Sequence, residues 1–126
     1  MYKEAFEDVL AVRKAMPDDM ILKCIIQTPV LSDQELREAT NLCMDAGVNF
    51  IKTGNGTYGP TTVHAVSVIA EALQGRGQIK ATTPFSSVEH IYELLDAGAT
   101  RLGITTEEFV KFYDIVEADF KAGRQK

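Results

Sequence analysis

With 126 residues, 45% of them hydrophobic and 25% charged, the chain has the size and balance of one globular domain with a modest core. A formal net charge of −5, with no basic run along the sequence, argues against nucleic acid as a default partner. No apolar run reaches the roughly 20 residues of a membrane-spanning helix, and the start MYKEAFEDVL does not have the form of a signal peptide, so a cytoplasmic setting is expected.

In chain order, residues 2–16 place Phe6, Val9 and Leu10 at near-helical spacing, and Pro17-Asp18-Asp19 ends the element, giving a leading helix within residues 1–19. MILKCIIQ, residues 20–27, is an isoleucine-rich run that suits a strand covered on both faces. Ser32 and Glu35 form a capping box that opens a helix to Asp45, closed at Gly47. VNFIKT is the second strand, GNGTYGP a loop, and Thr61 or Thr62 starts a helix to about Leu73. QIKATT is the third strand, and Ser86 with Glu89 opens the next helix, to Asp96. TRLGIT is the fourth strand, and Thr105 with Glu108 caps a final helix to about Ala122.

Four strands, each followed by a helix across residues 20–126, predict right-handed βαβ units and a parallel sheet. DAGVNFIKTG at 45–54 is echoed by DAGATRLGIT at 96–105, as expected of a (βα) barrel or part of one. Cys24 and Cys43 sit in apolar patterns and read as reduced core residues, and the isolated His64 and His90 do not suggest a metal site.

In such an array ligands bind at the carboxyl ends of the strands. Lys52 ends the second strand and Lys80 occupies the similar place in the third. Two amines on neighbouring strand ends disfavour each other's protonation, and a neutral amine is what carbonyl attack requires. The alternative is that each lysine extends from its strand end into water. The loop GNGTYGP could bring backbone amides near a ligand, and Thr105-Thr106 lie at a helix N-terminus, where either capping or anion binding is served.

The segments KCIIQTPVLSDQE, DAGVNFIKTGNG, QIKATTPFSSVE and DAGATRLGITT together resemble the second half of deoxyribose-phosphate aldolase, over nearly the whole chain from about residue 20. The resemblance implies a class I aldolase that needs no cofactor and no metal, acting on a small aldehyde or a sugar phosphate. It implies that Lys52 forms the Schiff base and that Lys80 tunes it. It places Thr53, Gly56, Gly103, Thr105 and Thr106 at the substrate or its phosphate. Thr53-Gly54-Asn55-Gly56 stands where the family has Thr-Ser-Thr-Gly, and Thr83-Pro84 stands where it has Gly-Gly. Proline has no N–H to offer a phosphate.

A complete (β/α)₈ barrel takes at least about 200 residues. The expected fold is therefore the (βα)₄ half of a TIM-type barrel, residues 1–126 as one domain, with an extra N-terminal helix. Four strands cannot close, so association is expected, first as a homodimer, the alternatives being a complementary half-barrel chain or a flattened open sheet covered by the N-terminal helix. A non-catalytic half-barrel that binds or assembles is the second functional expectation.

Overall fold

Local signals in the sequence set the helix starts. Ser32 and Thr105 each accept an N–H from the residue three further on, Glu35 and Glu108, whose carboxylates return to the cap residue's own N–H. Thr62 caps a third helix through the N–H of Ala65. The fourth begins one residue later than its expected box: Ser87, not Ser86, accepts the N–H of His90, and Glu89 plays no part in the cap. The structure, a computed structural model, describes residues 2–124. Its elements are α1 (Tyr2–Ala15), β1 (Lys23–Ile25), a 3-10 turn (Thr28–Val30), α2 (Asp33–Asp45), β2 (Phe50–Lys52), α3 (Val63–Leu73), β3 (Gln78–Thr82), α4 (Val88–Asp96), β4 (Arg101–Gly103) and α5 (Thr106–Lys121).

The strands are shorter than the apolar runs that announced them. After β1, Gln27 takes a left-handed backbone conformation, φ 57°, and turns the chain into the 3-10 turn. The four strands form one parallel sheet in the order β1-β2-β3-β4. Neighbours in sequence are neighbours in space, and successive right-handed crossovers without a reversal of order place the helices on one face. This is the winding of a barrel rather than of a doubly wound sheet, and it confirms the half-barrel expected from the sequence.

The core lies between that face and the helices. Ile51, Ile79 and Ala81 are fully buried against Val66, Ile69 and Leu94, and Cys43 is buried beside half-buried Cys24. Leading helix α1 buries no residue fully; Phe6 and Val9 pack against the core margin, and Arg13 donates to the carbonyls of Pro17 and Met20. Among the described residues no helix is long and apolar enough to cross a membrane.

Among the described residues, the opposite face of the sheet has no helix layer. Strand alternation and register place Lys23, Phe50 and Gln78 in one row there, and Ile25, Lys52, Lys80 and Arg101 in the next. Four cations thus converge on one face of a chain whose net charge is −5. The sequence, which has no basic run, does not show this cluster. The four are far apart in sequence and meet only through the register. Phe50 points to this side yet is 3% exposed, because Lys23 and Arg101 lie over its ring at 5.4 and 4.6 Å from the centroid.

Candidate active site

β2 and β3 run parallel in a register that pairs Lys52 with Lys80. Adjacent strands lie about 4.8 Å apart and paired residues point the same way, so the two side chains leave the sheet side by side. Both are half-buried. They open on a groove of about 570 Å³ at the carboxyl ends of β2, β3 and β4. Its floor and walls include Asn55, Gly56, Thr82, Thr83, Gly103 and Glu108. Burial holds the pKa of Lys80 below the ordinary lysine range, and the charges of Lys52, Lys23 and Arg101 push it the same way. The open face that leaves the sheet uncovered therefore also destabilises a proton in the groove.

A buried hydroxyl cluster fixes the two strand ends. Thr53 donates its N–H to the Lys80 carbonyl at 3.1 Å. Its hydroxyl accepts the N–H of Thr82 at 3.0 Å and the hydroxyl of Thr61 at 2.8 Å. Thr28 lies 3.3 Å from Thr61 in the same cluster, tying the 3-10 turn after β1 to it. All three side chains are buried, so each hydroxyl must find a protein partner, and together they lock the register that aligns the lysines.

The residues expected to hold substrate separate into three groups. Lys52, Lys80, Gly56, Gly103 and Thr105 line the groove. Thr53 lies beneath it, fully buried, and acts on the lysines only through the backbone. Thr106 is the first residue of α5, exposed and outside the groove lining. Gly103 has a steric reason to be glycine: a Cβ there would run into the Thr82 side chain. Gly56 turns the loop at φ +86°, where a side chain would be strained.

Sequence reasoning missed three groove residues. Thr82 was read only as the end of a strand, Thr83 only as a replacement for a family glycine, and Glu108 only as a helix cap. Glu108 is the carboxylate of the groove lining. Its Oε1 accepts the N–H of Phe85 and its Oε2 that of Thr105, both at 2.9 Å. Burial opposes its charge, but the donated N–H groups of Thr105 and Phe85 outweigh that and hold its pKa below the usual carboxylate value. The signal that could have found it was the meeting of the β3–α4 loop with the N-terminus of α5, which requires the fold.

No family model matches the chain. Single relatives do. It is 41% identical over 101 residues to the deoxyribose-phosphate aldolase of Crocosphaera subtropica, an alignment covering 80% of this chain and 45% of that one. It is 40% identical over 106 residues to that of Nocardia farcinica, covering 82% and 48%. The chain is a partial relative of the deoxyribose-phosphate aldolases. The match is to their C-terminal half, and the chain spans about half the length of the curated relatives it matches. A candidate deoxyribose-phosphate aldolase from Coccidioides immitis superimposes with a TM-score of 0.82 at 30% identity, over 92% of this chain and 46% of that one. A half-barrel similar to the C-terminal half of these aldolases is thus the scaffold on which the two lysines meet.

Proposed function

We propose that the groove is the Schiff-base site of an aldolase-like carbon–carbon lyase acting on a short aldehyde. The Lys52 amine adds to the aldehyde carbonyl, and loss of water leaves an iminium. The iminium accepts the electron pair when the adjacent carbon–carbon bond breaks, or supplies the enamine when one forms. Lys80, whose proton is destabilised where it sits, is the group suited to carry protons to and from that centre. The observation that carries this reading is the register pairing of two half-buried lysines at the mouth of one groove.

Acetaldehyde followed by borohydride tests it. Peptide mapping is expected to find one reduced adduct, on Lys52, that disappears in Lys52→Ala and weakens in Lys80→Met. The absence of a selective adduct rejects the reading. One observation favours a binding or assembly module instead. Glu108 is already engaged by two N–H groups, so the groove has no uncommitted carboxylate for proton transfer.

We further propose that the open face is covered by association. A complementary half-barrel that presents carboxylates to Lys23, Lys52, Lys80 and Arg101 suits its charge. Two copies meeting face to face would oppose cation to cation.

A further inference from the structure

Thr105 and Glu108 line the groove on the β4–α5 side, two strands away from Lys52, and two N–H groups there are already committed. The N–H groups of Phe85 and Thr105, one from the β3–α4 loop and one from the N-cap of α5, converge there and both end on Glu108. The Thr105 hydroxyl accepts the Glu108 N–H at 3.2 Å and completes the cap. Pro84, also in the lining, has no N–H. A helix N-terminus with converging amides ordinarily attracts an anion. In this chain the anion is supplied internally, by a carboxylate held in place at both oxygens.

Beside this closed set lie two hydroxyls that are not committed. Thr82 and Thr83 line the groove, and their Oγ1 atoms are buried without a hydrogen-bond partner among the described residues. Thr83 as a whole is 4% exposed. A buried hydroxyl that makes no bond is costly unless something completes it. A hydroxyl can donate to or accept from a neutral oxygen equally well.

We infer that the groove selects an uncharged, hydroxylated aldehyde over its phosphorylated counterpart, with Glu108 as the specificity-determining residue and Thr82 and Thr83 as its hydroxyl partners. This rests on the groove being the substrate site, and it names the substrate class. Lys52 and Lys80 attract anions on their own side, but the carboxylate of Glu108 and the missing N–H of Pro84 deny a phosphate a seat on the β4–α5 side.

The test reads the β4–α5 side directly. Inorganic phosphate is titrated into ¹⁵N-labelled protein while the amide signals of Phe85 and Thr105 are followed. The wild type is expected to show no saturable shift of these two signals up to about 10 mM, an affinity weaker than any useful site. Glu108→Gln, which removes the charge and cannot serve both N–H groups as acceptor, is expected to bind phosphate there at least about tenfold more tightly. Glu108→Ala should do the same with a weaker helix cap. Saturable phosphate binding at these amides in the wild type, or identical titrations in all three proteins, overturns the inference.

A second arm compares borohydride trapping by 2-deoxyribose and 2-deoxyribose 5-phosphate at equal concentration. The unphosphorylated sugar is expected to trap more, and Glu108→Gln to narrow the difference; preference for the phosphate in the wild type overturns the inference. If neither sugar nor acetaldehyde traps, the Schiff-base reading fails, while the phosphate titration still decides the role of Glu108.

Discussion

The two faces of this sheet obey different physics, although they share the same strands. The helix-covered face is apolar and close-packed, with Ile51 and Ile79 fully buried. The open face alternates with it residue by residue and carries Lys23, Lys52, Lys80 and Arg101 around one shielded aromatic ring. The buried apolar packing is concentrated on the first face and the proposed chemistry on the second. A half-barrel can therefore hold its fold through its outer layer while the surface that a full barrel would enclose remains charged.

Breaking the apolar face should have the largest effect. Ile79→Ala leaves a cavity beneath α3 and α4 and is expected to cost about 2–5 kcal/mol in urea unfolding. Its neighbour Gln78, on the open face and exposed, should cost within about 0.5 kcal/mol when changed to Ala. Similar losses at both positions would show that the open face is packed against something in solution. Thr53→Val comes next. It keeps the shape but removes the hydroxyl that accepts the Thr82 N–H, leaving that donor unmatched at a cost of about 1–3 kcal/mol, while the Thr61 hydroxyl can still donate to the Thr82 carbonyl at 3.0 Å. Because the cluster also fixes the lysine register, the variant should lose acetaldehyde capture at Lys52 while remaining folded. A stable variant that captures aldehyde normally would remove the cluster from the account of the site.

Association is expected to respond more weakly, and to salt. If two copies met through the open face, raising the salt from about 0.01 M to about 1 M would shorten the screening length from about 30 Å to about 3 Å and favour dimers. A partner bearing carboxylates would behave in the opposite way, binding best at low salt. Light scattering of the chain alone at both salt concentrations distinguishes the two. A dimer that is tight at low salt contradicts the charge argument.

Much of this was legible in the sequence, for identifiable reasons. Cap residues act over three positions, so Ser32 and Thr105 announced their helices directly. The lysine pair was visible because Lys52 ended an apolar run and Lys80 held the similar place in the next strand, although it proves to be the middle residue of β3. Ser86 misled because Ser87 beside it is an equally good cap, and only the packing of the loop chooses between them. The cationic face was hidden because it takes one residue from each strand, and a net charge of −5 conceals a local excess of the other sign. Thr28 drew no notice, Thr53 was placed at the substrate by resemblance, and Thr61 was read as a possible helix start. Their cluster exists only after three separate segments come together. Glu108 was seen in its local role and missed in its tertiary one, since its bond to Phe85 spans 23 residues.

The smallest expected effect is the slope of stability with pH, and it sharpens the contrast between the faces most finely. Lys80 has a folded-state pKa below its ordinary value of 10.5, because burial and then Lys52, Lys23 and Arg101 disfavour its proton. Between that lowered pKa and 10.5 the unfolded chain holds a proton at this position that the folded chain has released. Stability should therefore rise with pH through that window, and fall to a constant lower level below it. Lys80→Met has no such proton, so the difference in urea midpoint between wild type and variant should shrink in the variant's disfavour as pH rises, the variant being relatively most favoured near neutrality. A difference that does not change with pH would mean that the Lys80 amine titrates as it does in the unfolded chain. The crowding of cations would then have no energetic consequence, and the case for a reactive amine in this groove would rest on position alone.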